Sequence, residues 1–474
     1  MGGRGGTLCL PSTMFGEADM SDLASLKRRA EEEEVASVDF RVSDLVGRFR
    51  HLTIPVRRLS ESVLYDGIGF DGSNLGYRHV AGSDMVLVPD LSTAYIEERS
   101  GERVLTLIAD IADAETRAPA ALDPRRTITA ALRYLTDRGI ADEVLVSPEF
   151  EYYVFGDVRY AAEATWNGVE IEPIEGGRES GGAERSLYHA PIEQDRLFPL
   201  RSEIVRQIEA AGIPVKYHHH EVGPYGQQEI ELDFDGLARM ADATLIVKSI
   251  VHNVASEAGV TATFLPKPMY GQAGNGMHLH QYLVRGGENL FYAEAGLSET
   301  ARCYIGGLLT HGASLMAWTN PSTNSYRRLV PGYEAPVRFT YGASNRTAAV
   351  RIPAYARDDK TRIELRTMDA TCNPYLAYAA ILMAGVDGIQ RGLDARELGF
   401  GPLEADTDAA ETGTQAPADL DGALDALEGD AEYLTVGGVF SEALIELWIR
   451  AKRNEASAVA ARPHPQEFSL YYDL

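Results

Sequence analysis

An α+β fold is predicted from three observations. Strand-forming runs are short and joined by turns, capped amphipathic helices interrupt them without a regular βαβ alternation, and one segment reads as a two-stranded hairpin. With 474 residues and 45% hydrophobic content, the chain can bury a large core, as two to four domains or as one large α/β unit.

Taken in order, residues 1–19, "MGGRGGTLCLPSTMFGEAD", are Gly-rich and aperiodic, and read as a disordered leader or a mis-assigned start ahead of Met20. "MSDLASLKRRAEEEEVASVDFRV" then reads as a capped amphipathic helix followed by a strand. From Val38 to about Ala114, alternating runs such as "VLTLIADIAD" predict a small mixed sheet, giving an N-terminal domain over 20–117. Asp123 offers an N-cap and Pro124 a first helical residue for a helix carrying Ile128, Ala131, Leu132 and Leu135 and closed by Gly139. A larger domain, 118–474, opens there. It includes a helix ending "EIVRQIEAAG", a hairpin of "VKYHHHEV" and "QQEIELDF" around "GPYG", and a long apolar helix from "NPYLAYAAILMAG". Residues 402–422 are acidic and low in complexity, and read as a mobile surface insert.

Composition excludes several classes. No run approaches the ~18 apolar residues of a membrane helix, and the N-terminus lacks a basic segment followed by a hydrophobic one, so a cytoplasmic location is expected. A formal charge of -26 argues against nonspecific nucleic-acid binding, which needs Lys and Arg on phosphates. Only six of the 44 basic residues are lysine, a bias that fits a salt-adapted or a GC-rich organism equally well. Cys9, Cys303 and Cys372 form no CxxC pair, so reduced thiols are expected rather than disulfides or a thiolate zinc site.

The chemistry lies in four segments. In "SPEFEYYVF" the period of two puts Glu149 and Glu151 on one strand face and Phe150 and Tyr152 on the other. Across the hairpin, Glu221 and Glu229 can meet near one sheet end, with Glu231 and Asp233 sharing the face of Glu229. "NGMHLHQYL" puts His278 and His280 on one face, and "KTRIELRTMD" does the same for Arg362, Glu364 and Arg366. Singly, these read equally as solvated polar faces, a hydrogen-bonded histidine pair and a surface ion-pair ladder. Together, five carboxylates and one imidazole suit two hard divalent cations, Mg²⁺ or Mn²⁺. Arg328, Arg346, Arg351, Arg362 and Arg366 supply planar cations for carboxylate and phosphate, a layout suited to phosphoryl transfer onto an anionic acceptor. No Walker A or protein-kinase motif set is present, so any nucleotide site is of another design.

Over about residues 36–474 the chain resembles type I glutamine synthetase. The resemblance is carried by "NPSTNSYRRLVPGYEAPVRFTYGASNRTAAVRIP", with "KTRIELR", "NPYLAYAAILMAGVDGI", "GMHLH", "FDGSNLGY" and "SPEFEYYVF" in the family's order. It implies a β-grasp N-terminal domain and a larger catalytic domain with a curved antiparallel sheet flanked by helices. Active sites would lie between subunits of a homododecamer. It implies ATP-dependent ligation of ammonia to the γ-carboxylate of L-glutamate through a γ-glutamyl phosphate, with two or three Mg²⁺ or Mn²⁺ and ATP as co-substrate.

Carried over residue by residue, the resemblance makes Glu151, Glu221 and Glu229 ligands of the acceptor's metal, and Glu149, His278 and Glu364 ligands of the nucleotide's metal. Arg328 and Arg366 would hold the glutamate carboxylate, with Gly274 in the loop touching its amino group. Arg346, Arg351 and Arg362 would meet phosphate and nucleotide, with His280 and Tyr188 near the nucleotide. Glu334 would be the flap acid, and Asp71 would deprotonate ammonium in a neighbouring subunit's site. Departures fall at Asn74 and Ala273, where the family usually has serine and asparagine, and at Tyr282, where it has serine. These leave open a γ-glutamyl-amine ligase using ethanolamine, a polyamine or an aromatic amine, and a noncatalytic nitrogen-sensing homologue. The family's adenylylation tyrosine motif has no counterpart, its region being the acidic insert.

Overall fold

The computed structural model describes residues 22–75, 83–175, 187–294, 296–333, 335–404, 407 and 412–474. Glu334, the 1–19 segment with Met20 and Cys9, part of 402–422 and the side chain of Asn74 lie outside the described residues.

Helix α1 (Leu23–Glu32) is capped by Asp22, whose carboxylate accepts from the Ser25 backbone N–H. Five strands follow: β1 (Ser37–Ser43), β2 (Phe49–Pro55), β3 (Ile68–Asp71), β4 (Asp84–Arg99) and β5 (Glu102–Asp113). They form a sheet of order β2-β1-β5-β4-β3, with β1 and β5 parallel and the other pairs antiparallel. Its own core includes Leu26, Phe40, Leu105 and Leu107. This is the β-grasp arrangement, built over a hydrophobic cluster separate from the larger one that follows.

Helix α2 (Pro124–Asp137) starts as the sequence predicts: Asp123 accepts from the Arg125 backbone N–H, and Gly139 takes the positive φ of +63° that ends it. The larger domain's eleven-stranded sheet is organised by β6 (Glu143–Ala162), a 20-residue strand. Strand β7 (Asn167–Pro173) folds back on its outer half. After helix α3 (Phe198–Ala210), the hairpin of β8 (Val215–His220) and β9 (Gln227–Leu232) adds to one edge of β6. On the other edge come the strands Met277–Arg285, Ile363–Leu365, Val350–Ile352 and Tyr341–Ala343. Helix α4 (Leu237–Glu257) and the Pro374–Arg391 helix supply much of the apolar core. Phe150, Tyr152, Met277, Leu279 and Ile363 belong to this core and are fully buried, which is what period two requires of the face opposite the acids.

Residues 414–422 correct the reading of a mobile insert. Thr414–Gln415 pairs with Arg338–Phe339, Ala416 is buried, and Leu420, 1% exposed, opens a helix capped by Asp419. Acidic composition concealed these apolar anchors, which are spaced too sparsely to register as a pattern. Cys303 and Cys372 are buried free thiols. No described helix is long and apolar enough to cross a membrane.

The two domains are locked together at the β1–β2 turn. Asn373, the N-cap of the Pro374–Arg391 helix, donates from Nδ2 to the Asp44 and Leu45 carbonyls in the β1–β2 turn. Gly47 in that turn has φ +81°, and an added Cβ would lie 2.7 Å from the Asn373 Cα, so only glycine satisfies both the conformation and the approach. Nearby, Arg41 is 2% exposed; it pairs with Glu97, donates to Tyr95 Oη at 2.7 Å and lies 3.4 Å from Asp39. Removing one member of such a buried ionic group strands the charge of the others. Arg41→Ala is expected to cost roughly 3–5 kcal/mol of stability, read as a lowered midpoint in urea denaturation. Arg133→Ala, at an exposed pair with Asp137, should change it by no more than about 0.5 kcal/mol.

Candidate active site

The register of β6 assembles the site. Glu149 stands opposite Glu231 on one side and His278 on the other, and Glu151 stands opposite Glu229. One row along, His280 faces Glu364, which in turn faces Arg351. Cross-strand partners point to the same face, so five strands project their polar side chains into one place. That face is not a solvated one: Glu229 is 7% exposed, and Glu231 and Glu364 are fully buried. The hairpin, the histidine pair and the "KTRIELRTMD" strand are therefore an internal polar wall rather than separate surface features.

The wall bounds a cavity of about 680 Å³. Eleven of the residues singled out in the sequence line it: Glu149, Glu151, Tyr188, Glu221, Glu229, Gly274, His278, Arg328, Arg346, Arg351 and Arg366. Glu364 lies directly behind, held by Arg366 and by Arg351 Nη1 at 2.5 Å. His280 does not line the cavity. It is fully buried behind Glu149, with Nε2 2.8 Å from Glu149 Oε1. Arg362 also stands back, its guanidinium 5.3 Å from the centre of the Tyr355 ring, which Arg351 approaches at 5.8 Å. Asp71 is not brought to the site within one chain. It is exposed at the end of β3 in the N-terminal domain, where its carboxylate accepts from the Ser73 backbone N–H.

Local geometry fixes the ligating atoms. His278 Nδ1 lies 2.9 Å from Glu149 Oε2, and its Nε2 lies 3.3 Å from Arg328 Nη2. The Gly276 backbone N–H donates to Glu151 Oε2 at 2.7 Å. A Cβ at Gly276 would lie 2.5 Å from Arg328 Nη2 and 2.8 Å from His278 Nε2, so this glycine keeps the two side chains in place. Arg328 spends its donors on the carbonyls of Arg366, Thr367 and Met368. Burial and the neighbouring Arg366 press its pKa down.

Two groups of ligating atoms result, each with its atoms within 4.8 Å of one another: Glu149, His280 and Glu364, and His219, Glu221 and Glu229. His219 was missed in the sequence, although period two along "VKYHHHEV" puts it on the face of Glu221; its Nε2 lies 3.2 Å from Glu229 Oε1. Tyr355 had no sequence signal of its own. Electrostatics separates the two groups. Burial would raise the Glu149 and Glu364 carboxyls, yet His280 and His278 hold Glu149 well down, and Arg366 with the histidines holds Glu364 at about 2. Glu221 has less relief, from the Val222 backbone N–H and His219: burial, then Glu151 and Glu229, push it up to about 9. Burial, Glu149 and Glu151 likewise push Glu229 well up. Buried carboxylate oxygens short of positive charge are the donor set a hard divalent cation fits.

The sign of the pH effect follows. A carboxyl whose pKa is raised on folding binds more protons folded than unfolded, so stability falls as pH rises from the ordinary carboxylate range toward about 9. The ion-free protein should therefore melt at lower temperature at pH 8.5 than at pH 6, and added Mn²⁺ should raise the melting temperature more at the higher pH. Glu229→Gln should flatten that dependence, stabilise the ion-free protein at pH 8.5 and weaken Mn²⁺ binding roughly 10–100-fold or more, measured by titration calorimetry.

Comparison with known proteins places the chain. Residues 34–114 match the family model "Glutamine synthetase, beta-Grasp domain", and residues 121–471 match "Glutamine synthetase, catalytic domain". The chain is 43% identical to a glutamine synthetase of Frankia alni over 476 residues, covering 94% of this chain and 98% of that one. It is 42% identical to one of Aquifex aeolicus over 461 residues, covering 94% and 97%. Among solved structures it superposes on Plasmodium falciparum glutamine synthetase with a TM-score of 0.85 at 26% identity, covering 95% of this chain and 99% of that one. A ligand-free structure of a protein named GmaS gives a TM-score of 0.79 at 30% identity, covering 96% and 100%. With both of its domains matched and its acids and arginines gathered on one sheet face, the chain belongs to the glutamine synthetase family of ATP-dependent ligases.

Proposed function

We propose that this enzyme joins ammonia to the γ-carboxylate of L-glutamate through a γ-glutamyl phosphate, with ATP as phosphoryl donor. One observation carries the reading: two groups of acids share a single cavity with Arg328, Arg346, Arg351 and Arg366. A carboxylate is a poor acylating agent, and phosphorylating it requires three anionic groups to be drawn together against their repulsion. Glu151, Glu221 and Glu229 would hold one divalent cation at the acceptor, and Glu149, His278 and Glu364 another at the nucleotide phosphates, with His219 and His280 adjoining. Such ions supply Lewis-acid charge for the transferred phosphoryl group.

The remaining roles belong to the chain itself. Arg328 and Arg366 would orient the glutamate α-carboxylate, with the loop at Gly274 closing over its amino group. Arg346 and Arg351 would meet the transferred phosphate, while Arg362 and Tyr355 would present a cationic and aromatic wall to the nucleotide. Ammonium attacks only after losing a proton, and a carboxylate at its entry performs that step. Asp71 is suited to serve a neighbouring subunit, because it is exposed on the far domain and away from its own cavity. The enzyme would then be a cytoplasmic ring assembly, a dodecamer, with each site completed across a subunit boundary. Glu334 would accept the later proton and exclude water from the acyl phosphate.

A second reading keeps the phosphoryl transfer and changes the amine. It is favoured by Ala273, which lines the cavity where the resembled family has asparagine; its carbonyl accepts from Tyr153 Oη at 2.9 Å. A phosphate-release assay with glutamate and ATP distinguishes the two. Saturable dependence on ammonium supports glutamine formation, whereas dependence on glutamate without response to ammonium, together with saturation by ethanolamine, a polyamine or an aromatic amine, replaces it with the second reading. Arg346 is exposed in the cavity, so Arg346→Ala should lower kcat roughly 10²–10³-fold while leaving the urea midpoint unchanged.

A further inference from the structure

A second cavity, about 630 Å³, lies at the junction of the two domains, away from the acid wall. Its walls include the β1–β2 turn, helix α4, the segment around Ala370 and Thr371, and the helix Glu442–Ala460. The chain carries a formal charge of -26 and only six lysines, yet Lys248, Lys452 and Arg48 all line this one cavity.

Their charges are unequally compensated. Lys452, 5% exposed, is paired with Glu455 at 2.9 Å. Lys248 Nζ donates to the Ala370 carbonyl at 2.5 Å, and among the described residues no carboxylate lies within ion-pair distance of it. An ammonium has three donors, so two remain. The Arg48 guanidinium, reaching in from the other domain, likewise has no hydrogen-bond or ion-pair partner among the described residues. The nearest candidate in its own turn, Asp44, is committed to Arg50 at 2.9 Å and to the backbone N–H groups of Val46 and Arg48. Burial lowers the Lys248 pKa and Arg48 adds to it, while Cys372, Asp369 and Asp44 offset only part of the shift.

We propose that this cavity is a binding site for a small oxyanion, a phosphate or the carboxylate of a small organic acid, held between Arg48 of the N-terminal domain and Lys248 of the catalytic domain. Guanidinium and ammonium are the two side chains best suited to such a ligand, and here one comes from each domain. An oxyanion in this position ties the β1–β2 turn to helix α4 beside the Asn373 cap. It therefore stiffens the domain junction without touching the cavity where chemistry is proposed.

Titration calorimetry on the full-length chain at pH 7 tests this, with inorganic phosphate in one arm and succinate in the other. Saturable binding of either is expected, and the arm that binds identifies the class of acid. Arg48→Ala and Lys248→Met should each weaken it at least tenfold, while Arg346→Ala, in the other cavity, should leave it unchanged. Arg48 lies on an exposed turn, so its variant remains informative even if Lys248→Met fails to fold. Absence of saturable binding in both arms overturns the proposal, as does binding that survives Arg48→Ala or is lost with Arg346→Ala.

Discussion

The pairing register of β6 is the constraint on which the rest of the site depends. Glu149 and Glu151 are held two residues apart on one strand, and the antiparallel partners on either side place Glu231, Glu229 and His278 directly opposite them. A slip of one residue on any of these strands would turn its acids into the apolar core and its core residues toward the cavity. The burial of Phe150, Tyr152, Met277 and Leu279 on the opposite face forbids that slip. Hydrophobic packing on one side of the sheet is thus what sets distances between charges on the other.

Those charges are not uniform in kind. Glu149 comes with hydrogen-bonding partners built in, His278 and His280, and Glu364 with its counter-charges, Arg351 and Arg366. Glu221 and Glu229 face each other and Glu151 with far less. The site therefore combines a neutralised half, whose geometry the protein fixes by itself, with a half whose acids repel unless something positive joins them. Stability has been given up on one side of a single strand and kept on the other.

Much of this was legible in the sequence because it rests on period two and on caps. Asp123, Pro124 and Gly139 delimited α2, and the face shared by Glu149 and Glu151 followed from alternation alone. What alternation could not give was burial: a polar strand face looks the same whether it meets water or an internal cavity, so the solvated alternative could be dismissed only once the five strands stood side by side. His219 was legible by the same rule and was masked by two neighbouring histidines, one on each side. The contact of Arg362 with Tyr355 follows no shared sequence period, and the apolar anchors at Ala416 and Leu420 were hidden in an acidic stretch. The separation of Asp71 from the cavity of its own chain has no local signature at all.

The raised carboxyls of the β8–β9 hairpin have one more consequence. Burial and the neighbouring acids keep the proton on Glu221 to higher pH than on a free carboxyl, and it has to release that proton before its oxygen can serve as a ligand. Loading the site is thus an exchange of protons for an ion, so the heat of loading will include the ionisation heat of whatever buffer takes up the protons. Acidification and loss of a divalent cation would reach this hairpin as the same signal.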